Sequence, residues 1–177
     1  MSQDARPRIL IFTGDGKGKT TAALGLALRA SGHEIPVLVL QFIKNDSTTG
    51  EIAAAARLAN VQIVQVGMGF LPSAQDERLA EHKTAAQRGL RRAGQAIASG
   101  AYPLVILDEI CFAVSRGLLE EREVLEAIAA AKAPMCVVLT GRGATAGLIA
   151  AADTVTEMRA VKHGLASGIT AQRGVEY

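Results

Sequence analysis

Six short apolar runs punctuate the chain, at residues 8–13, 36–43, 61–66, 102–109, 135–143 and 154–159. The first, Arg8-Ile9-Leu10-Ile11-Phe12-Thr13, is apolar enough to be a strand buried on both faces. The run at 102–109 reads the same way, and the one at 61–66 shows some alternation. Between the runs lie stretches of helical character. One follows residue 19 and runs to Ser31, where Gly32 stops it. Others cover 51–60, which is alanine-rich, then 74–99, 120–133 and 145–152. Strands alternating with helices imply an α/β fold with a mostly parallel central sheet covered on both faces. In such sheets ligands bind at the carboxyl ends of the strands.

A length of 177 residues suits one domain of this kind. Aromatic residues make up only 3% and tryptophan is absent, so the core is built from Ala, Leu, Ile and Val. The same scarcity argues against base-stacking platforms. The net charge of +2 points to no nucleic-acid partner. Cys111 and Cys136 are far apart and form no C-x-x-C pair, so they read as buried free thiols. That suits a reducing, cytoplasmic setting. The first eight residues are polar and lack a signal-peptide core. No apolar run approaches the roughly 20 residues of a membrane span.

The chemistry concentrates where the first strand ends. Gly14-Asp15-Gly16-Lys17-Gly18-Lys19-Thr20-Thr21 follows it directly and opens the first helix. Strand, glycine loop, lysine, hydroxyl and helix are the parts of a phosphate-binding loop, in order. Gly14, Gly16 and Gly18 let backbone N–H groups approach phosphate oxygens. The helix start adds its partial positive charge, Lys19 a full one, and Thr20 a hydroxyl for Mg²⁺. The usual G-x-x-x-x-G-K-[ST] spacing places Thr13 where the first glycine stands, and Gly14 comes one residue late.

Three further features fall at strand ends. Asp108 and Glu109 close the fourth run, where acids can hold Mg²⁺ directly or through water. Arg142 sits between Gly141 and Gly143 after the fifth, within reach of phosphate or ribose. Gly67-Met68-Gly69-Phe70 follows the third. Arg159 and Lys162 are weaker candidates for anion contact, and His163 reads equally as a structural or a functional histidine. The charges along 74–99 read as a solvated helix face. Residue physics thus reaches an Mg-nucleotide-binding α/β protein acting on ATP or GTP. It leaves hydrolysis, phosphorylation and other chemistry open.

Taken together, Gly14 to Ala23, Val39-Leu40-Gln41-Phe42-Ile43-Lys44, Gly67 to Phe70, Val105 to Glu109, Leu139 to Gly143 and Ala152 to Arg159 with Val161-Lys162-His163 resemble the P-loop type of corrinoid adenosyltransferase. The resemblance runs from Arg8 to Tyr177, and the displaced first glycine is itself a family feature. It implies a three-layer P-loop NTPase-like (RecA-like) fold, as a single domain over 1–177 with residues 1–7 as a flexible tail. It also implies transfer of the 5′-deoxyadenosyl group of ATP to the Co(I) centre of a corrinoid, with triphosphate leaving, in adenosylcobalamin biosynthesis or salvage.

On that resemblance Gly14, Asp15, Gly16, Lys17, Gly18, Lys19, Thr20, Thr21 and Arg142 bind ATP. ATP lies reversed along the loop relative to ordinary P-loop enzymes. Lys19, Thr20 and Glu109 carry the catalytic roles, and Thr20, Glu109 and Asp108 hold Mg²⁺. Phe70 faces the corrinoid and displaces the lower axial ligand of Co(II), which eases its reduction. The family's tryptophan two positions later is Pro72 here, and its aromatic in the tail is Leu165. The resemblance implies a homodimer and, as reductant, a flavoprotein. Two other readings stay open: a P-loop ATPase or kinase in which Glu109 activates water or a hydroxyl, and a carrier that binds without turnover.

Overall fold

A computed structural model describes residues 6–73 and 75–176. The elements follow the alternation expected. They are β1 (Arg8–Thr13), α1 (Lys19–Ser31), β2 (Val37–Gln41), α2 (Gly50–Ala55), β3 (Val61–Gln65), α3 (Leu79–Ser99), β4 (Leu104–Asp108), α4 (Ile110–Ser115), α5 (Glu121–Ala129), β5 (Cys136–Thr140), α6 (Ala146–Ala151) and β6 (Thr154–Glu157). A 3-10 turn, Gly164–Ser167, follows.

The six strands form one sheet in the order β3-β2-β4-β5-β1-β6. Every pairing is parallel. The phosphate-loop strand β1 and the acid-bearing strand β4 are therefore separated by β5. Side chains alternate across the sheet, as strand geometry demands. Ile9, Ile11, Leu38, Leu40, Val105, Leu107, Val137 and Leu139 pack on one face against buried residues of α3, α4, α5 and α6. Val37, Val39, Leu104, Ile106 and Val138 pack on the other, chiefly against Ala23, Ala27 and Ala30 of α1. Each Leu or Ile so buried contributes about 1.5–3 kcal/mol. The small alanines of α1 bring that helix close to the sheet. The result is the three-layer, P-loop NTPase-like arrangement.

Several boundaries differ from the sequence reading. The helix expected over 51–60 ends at Ala55, and Asn60 bonds Ile35 O at 2.9 Å and accepts from Ser31 Oγ at 2.7 Å, which commits the chain to the next strand. The long helix starts at Leu79. Ahead of it Asp76 accepts from Arg78 N at 2.9 Å in a turn, and Ala74, where that helix was expected to begin, lies outside the described residues. The helix expected over 120–133 spans Glu121–Ala129, and the last strand stops at Glu157. Helix α4 was not anticipated. It forms because Glu109 adopts φ 62°, which turns the chain out of β4, and Ala113 N then bonds Glu109 O at 2.9 Å. Of the tail expected at 1–7, residues 1–5 lie outside the described part, while Arg6 pairs with Asp153 at 2.9 Å.

Candidate active site

The parallel sheet puts the carboxyl ends of all six strands on one edge, and the last residues there are polar. Thr13, Gln41, Gln65, Asp108 and Thr140 close β1, β2, β3, β4 and β5. Four of them form a continuous network. Gln65 Nε2 donates to Gln41 Oε1 at 3.1 Å, and Gln41 Nε2 donates to Asp108 Oδ2 at 3.3 Å. Thr140 Oγ1 donates to Asp108 Oδ1 at 2.7 Å and accepts from Glu109 N at 2.9 Å. Buried polar groups of this kind must be partnered, and these are.

The phosphate loop rises from the same edge. Gly14 and Gly18 have φ 93° and 106°, angles that favour glycine. Gly18 caps α1, whose first turn carries no acidic residue, so its positive end is left bare for an anion. Gly16 has a different reason to lack a Cβ. A side-chain carbon there would stand 2.7 Å from Met158 O, and Gly16 N donates to that same oxygen at 2.6 Å. The chain just beyond β6 thus supports the loop from behind. Met158 N in turn bonds Thr13 O at 2.8 Å.

Lys19 is folded onto its own loop. Its Nζ donates to Gly14 O at 2.8 Å and Gly16 O at 2.6 Å. Burial lowers its pKa, against the pull of Glu109, and Arg142 lowers it further. Thr20 Oγ1 donates to Asp108 Oδ1 at 2.8 Å. Asp108 is 1% exposed and its two oxygens are taken by Thr20, Thr140 and Gln41. It stands behind Thr20 and is absent from the cavity wall. Glu109, one residue on, does line the cavity. Burial raises its pKa, and Asp108 adds to the rise.

The cavity over the loop has a volume of about 460 Å³. Of the candidate residues, Gly16, Lys17, Gly18, Lys19, Thr20, Thr21, Glu109 and Arg142 line it. Gly14 and Asp15 do not, although Gly14 holds Lys19 through its carbonyl. Arg159 and Lys162 are not on its wall. A larger cavity of about 950 Å³ lies at the opposite edge, beside Arg8, Leu104 and Cys136, the first residues of β1, β4 and β5.

Residues outside the sequence reading also line the wall. Lys44 pairs with Glu51 at 2.5 Å, and Gln41 Nε2 reaches Glu51 Oε1 at 3.4 Å. Burial would raise the Glu51 pKa, yet the bond from Lys44 holds it below its ordinary value. Glu176 brings the tail over the loop by pairing with Lys17 at 2.6 Å. The three lysines on the wall are thus each held by an acceptor of the chain itself. Gln41 and Thr140 stand inside segments that carry the family resemblance, and a polar residue ending an apolar strand is the residue-level signal that marks both.

Phe70 stands apart from this cavity. It is 100% exposed, with Met68 at 39%. Along the tail Val161, Leu165 and Ile169 are 94%, 73% and 65% exposed, an unusual set of bare apolar side chains. Cys111 is buried, and burial together with Glu109 pushes its thiol up to about 12, so it is no nucleophile. Among the described residues no group of three or more His, Cys, Asp or Glu gathers as a metal site. No helix among them is long and apolar enough to cross a membrane.

The chain is similar to a corrinoid adenosyltransferase of Pseudomonas aeruginosa, at 44% identity over 99% of this chain and 86% of that protein. It is 38% identical to a corrinoid adenosyltransferase of Escherichia coli K12 over 99% of this chain and 88% of the other. Its fold resembles that of the KaiC-like protein PH0186 of Pyrococcus horikoshii OT3, with a TM-score of 0.50 at 16% identity, covering 88% and 71% of the two chains. Residues 5–177 match the family described as ATP:corrinoid adenosyltransferase BtuR/CobO/CobP, and the chain belongs to that family.

Proposed function

We propose that this chain, acting as a single domain, transfers the 5′-deoxyadenosyl group of ATP to the cobalt of a reduced corrinoid. One observation carries the reading: the family match spans residues 5–177, including both the phosphate loop and the 67–70 loop that rise from one edge of the sheet. Electron and atom balance is simple. The electron pair of Co(I) forms the cobalt–C5′ bond, the C5′–O bond breaks, and triphosphate leaves with that bonding pair. No protein nucleophile or general base is needed, so the chain contributes position and charge.

The backbone of residues 16–21 and the bare start of α1 receive the triphosphate. Lys19 exchanges its two loop carbonyls for phosphate oxygens, and Arg142 adds a second cation. Thr20 and Glu109 would hold Mg²⁺, with Asp108 fixing Thr20 from behind. The donor set fits: Mg²⁺ is usually held by one or two carboxylates or hydroxyls plus phosphate oxygens. When bound, it neutralises charge on the leaving triphosphate. Phe70 meets the corrinoid. The family supports a homodimer in the cytoplasm that draws electrons from a flavoprotein.

The test is direct. Protein, ATP, Mg²⁺ and a chemically reduced corrinoid should give the absorbance change of a new cobalt–carbon bond, with triphosphate as co-product. ADP and phosphate in place of triphosphate would instead favour an ATPase or kinase that uses Glu109 to activate water or a hydroxyl. Tight binding of both substrates without turnover would indicate a carrier.

A further inference from the structure

We infer that Asn45 is a positioning residue that sets the 67–70 loop, and with it Phe70, against the nucleotide side of the site. The inference rests on the corrinoid reading above. Residues 66–69 are docked on the end of β2 and the segment after it by four hydrogen bonds. Val66 N and Gly67 N both donate to Gln41 O, at 2.9 and 3.1 Å, and Gly69 N donates to Ile43 O at 2.7 Å. The fourth runs from Asn45 Nδ2 to Met68 O at 3.0 Å.

The fit is close. A Cβ at Gly67 would lie 2.3 Å from Ile43 C, and one at Gly69, where φ is 91°, would lie 2.7 Å from Asn45 Oδ1. Three of the four bonds are backbone to backbone and would survive any substitution in the segment. Gln65, ahead of the loop, also reaches the segment through Nε2 to Asp46 O at 2.9 Å, but among the described residues the one side-chain hydrogen bond to residues 67–70 themselves is the one from Asn45. Phe70 is fully exposed and has no wall of its own, so its ring goes where the loop goes.

The same segment reaches the nucleotide. Lys44 lines the cavity over the phosphate loop and pairs with Glu51, while its neighbour Asn45 holds Met68. Two adjacent side chains therefore serve two half-sites. Loss of the Asn45 amide leaves the ATP half intact and loosens the loop that carries Phe70.

The test uses Asn45→Ala and Asn45→Asp, with Phe70→Ala as a reference, in the full-length protein. Turnover is measured from Co(II) with a reductant and, separately, from Co(I). Asn45→Ala should lower turnover from Co(II) about fivefold, the effect of one ordinary hydrogen bond. Turnover from Co(I) and the KM for ATP should change less than about twofold. The spectroscopic signature of four-coordinate Co(II) in the presence of ATP should weaken in parallel. Asn45→Asp keeps the shape but has no N–H to give Met68 O, so it should fail at least as badly. A merely steric role would let the aspartate rescue. Equal losses from Co(I) and Co(II), or an unchanged Co(II) signature, overturn the inference. A wild-type protein that transfers nothing from either cobalt state overturns the adenosyltransferase reading and this inference with it.

Discussion

Thr20 and Asp108 lie 88 positions apart in the chain, and the hydroxyl of one donates to the carboxylate of the other at 2.8 Å. The bond ties the start of α1 to the end of β4 across the intervening strand β5. It aims the threonine oxygen's remaining lone pairs at the cavity, where a cation bound to phosphate would sit. On the proposed Mg²⁺ reading, Asp108 would then support Thr20 from behind, its own oxygens being taken by Thr20, Thr140 and Gln41. Asp108→Asn should weaken Mg²⁺-dependent activity by about 10–100-fold, the usual cost of losing such a support. Titrating Mg²⁺ at saturating ATP should show a raised midpoint, while the fold stays intact by far-ultraviolet dichroism. A Mg²⁺ midpoint like that of the wild type would refute the role.

Lys19 is buried and rests on two carbonyls of its own loop. That arrangement keeps an ammonium ready without a carboxylate that substrate must displace. Lys19→Ala should cut kcat/KM by about 10²–10³-fold, as for removal of one fixed charge at a leaving group. Binding of ATP should weaken in parallel by calorimetry. Near-normal turnover would sink the assignment of the loop.

Much of this site was legible from short-range pattern. The phosphate loop needs only eight successive residues, and the six apolar runs announced the sheet. What stayed hidden depends on distant partners. Gln41 looks like one more strand residue until Asp108 arrives from 67 positions away, and Thr140 meets the same carboxylate from 32 away. Helix α4 was hidden because it hangs on the left-handed turn at Glu109, a residue type that rarely adopts it. The Lys17–Glu176 pair, 159 positions apart, could not be read from either end.

Glu109 gives the site a pH signature. Its carboxyl is raised from 4.5 by burial and by Asp108. Below the unfolded value both states keep the proton, so nothing is lost there. As pH rises from 4.5 through the raised folded value, the unfolded chain releases its proton first, and stability falls. Above the folded value the loss is complete. Glu109→Gln should therefore melt higher than wild type at neutral pH when no substrate is present, and the gap should close towards pH 4.5. Adding Mg²⁺ and ATP should narrow or reverse the gap, because the wild type, with its carboxylate for Mg²⁺, gains more from binding than the variant does. Melting curves at several pH values check both halves. A gap that widens on acidification would contradict the sign.

The tail pair between Lys17 and Glu176 predicts a smaller effect. Both side chains are partly exposed, at 48% and 30%. Incoming triphosphate should take Lys17 from Glu176, and a carboxylate beside the anion should oppose binding. Glu176→Gln should tighten ATP binding by no more than about threefold, since exposed pairs contribute little. The gain should shrink as salt is added. Weaker binding in this variant would mean that the tail helps to hold the nucleotide.

Two glycines separate backbone need from chance. Gly16 has backbone atoms of Met158 and Arg159 within 2.8 Å of where a Cβ would lie, so those atoms must move to admit one. Gly25, on the exposed side of α1, has nothing within 4 Å. Gly16→Ala should destabilise the protein by about 1–3 kcal/mol, the usual cost of overpacking. It should also cost activity, because the phosphate loop loses its support. Gly25→Ala should stabilise by about 0.5–1 kcal/mol, from higher helix propensity and a less flexible unfolded chain. Denaturant unfolding of both variants would decide the matter. If Gly16→Ala were neutral, the loop would not be resting on residues 158–159. If Gly25→Ala were destabilising, α1 would have a partner on that side.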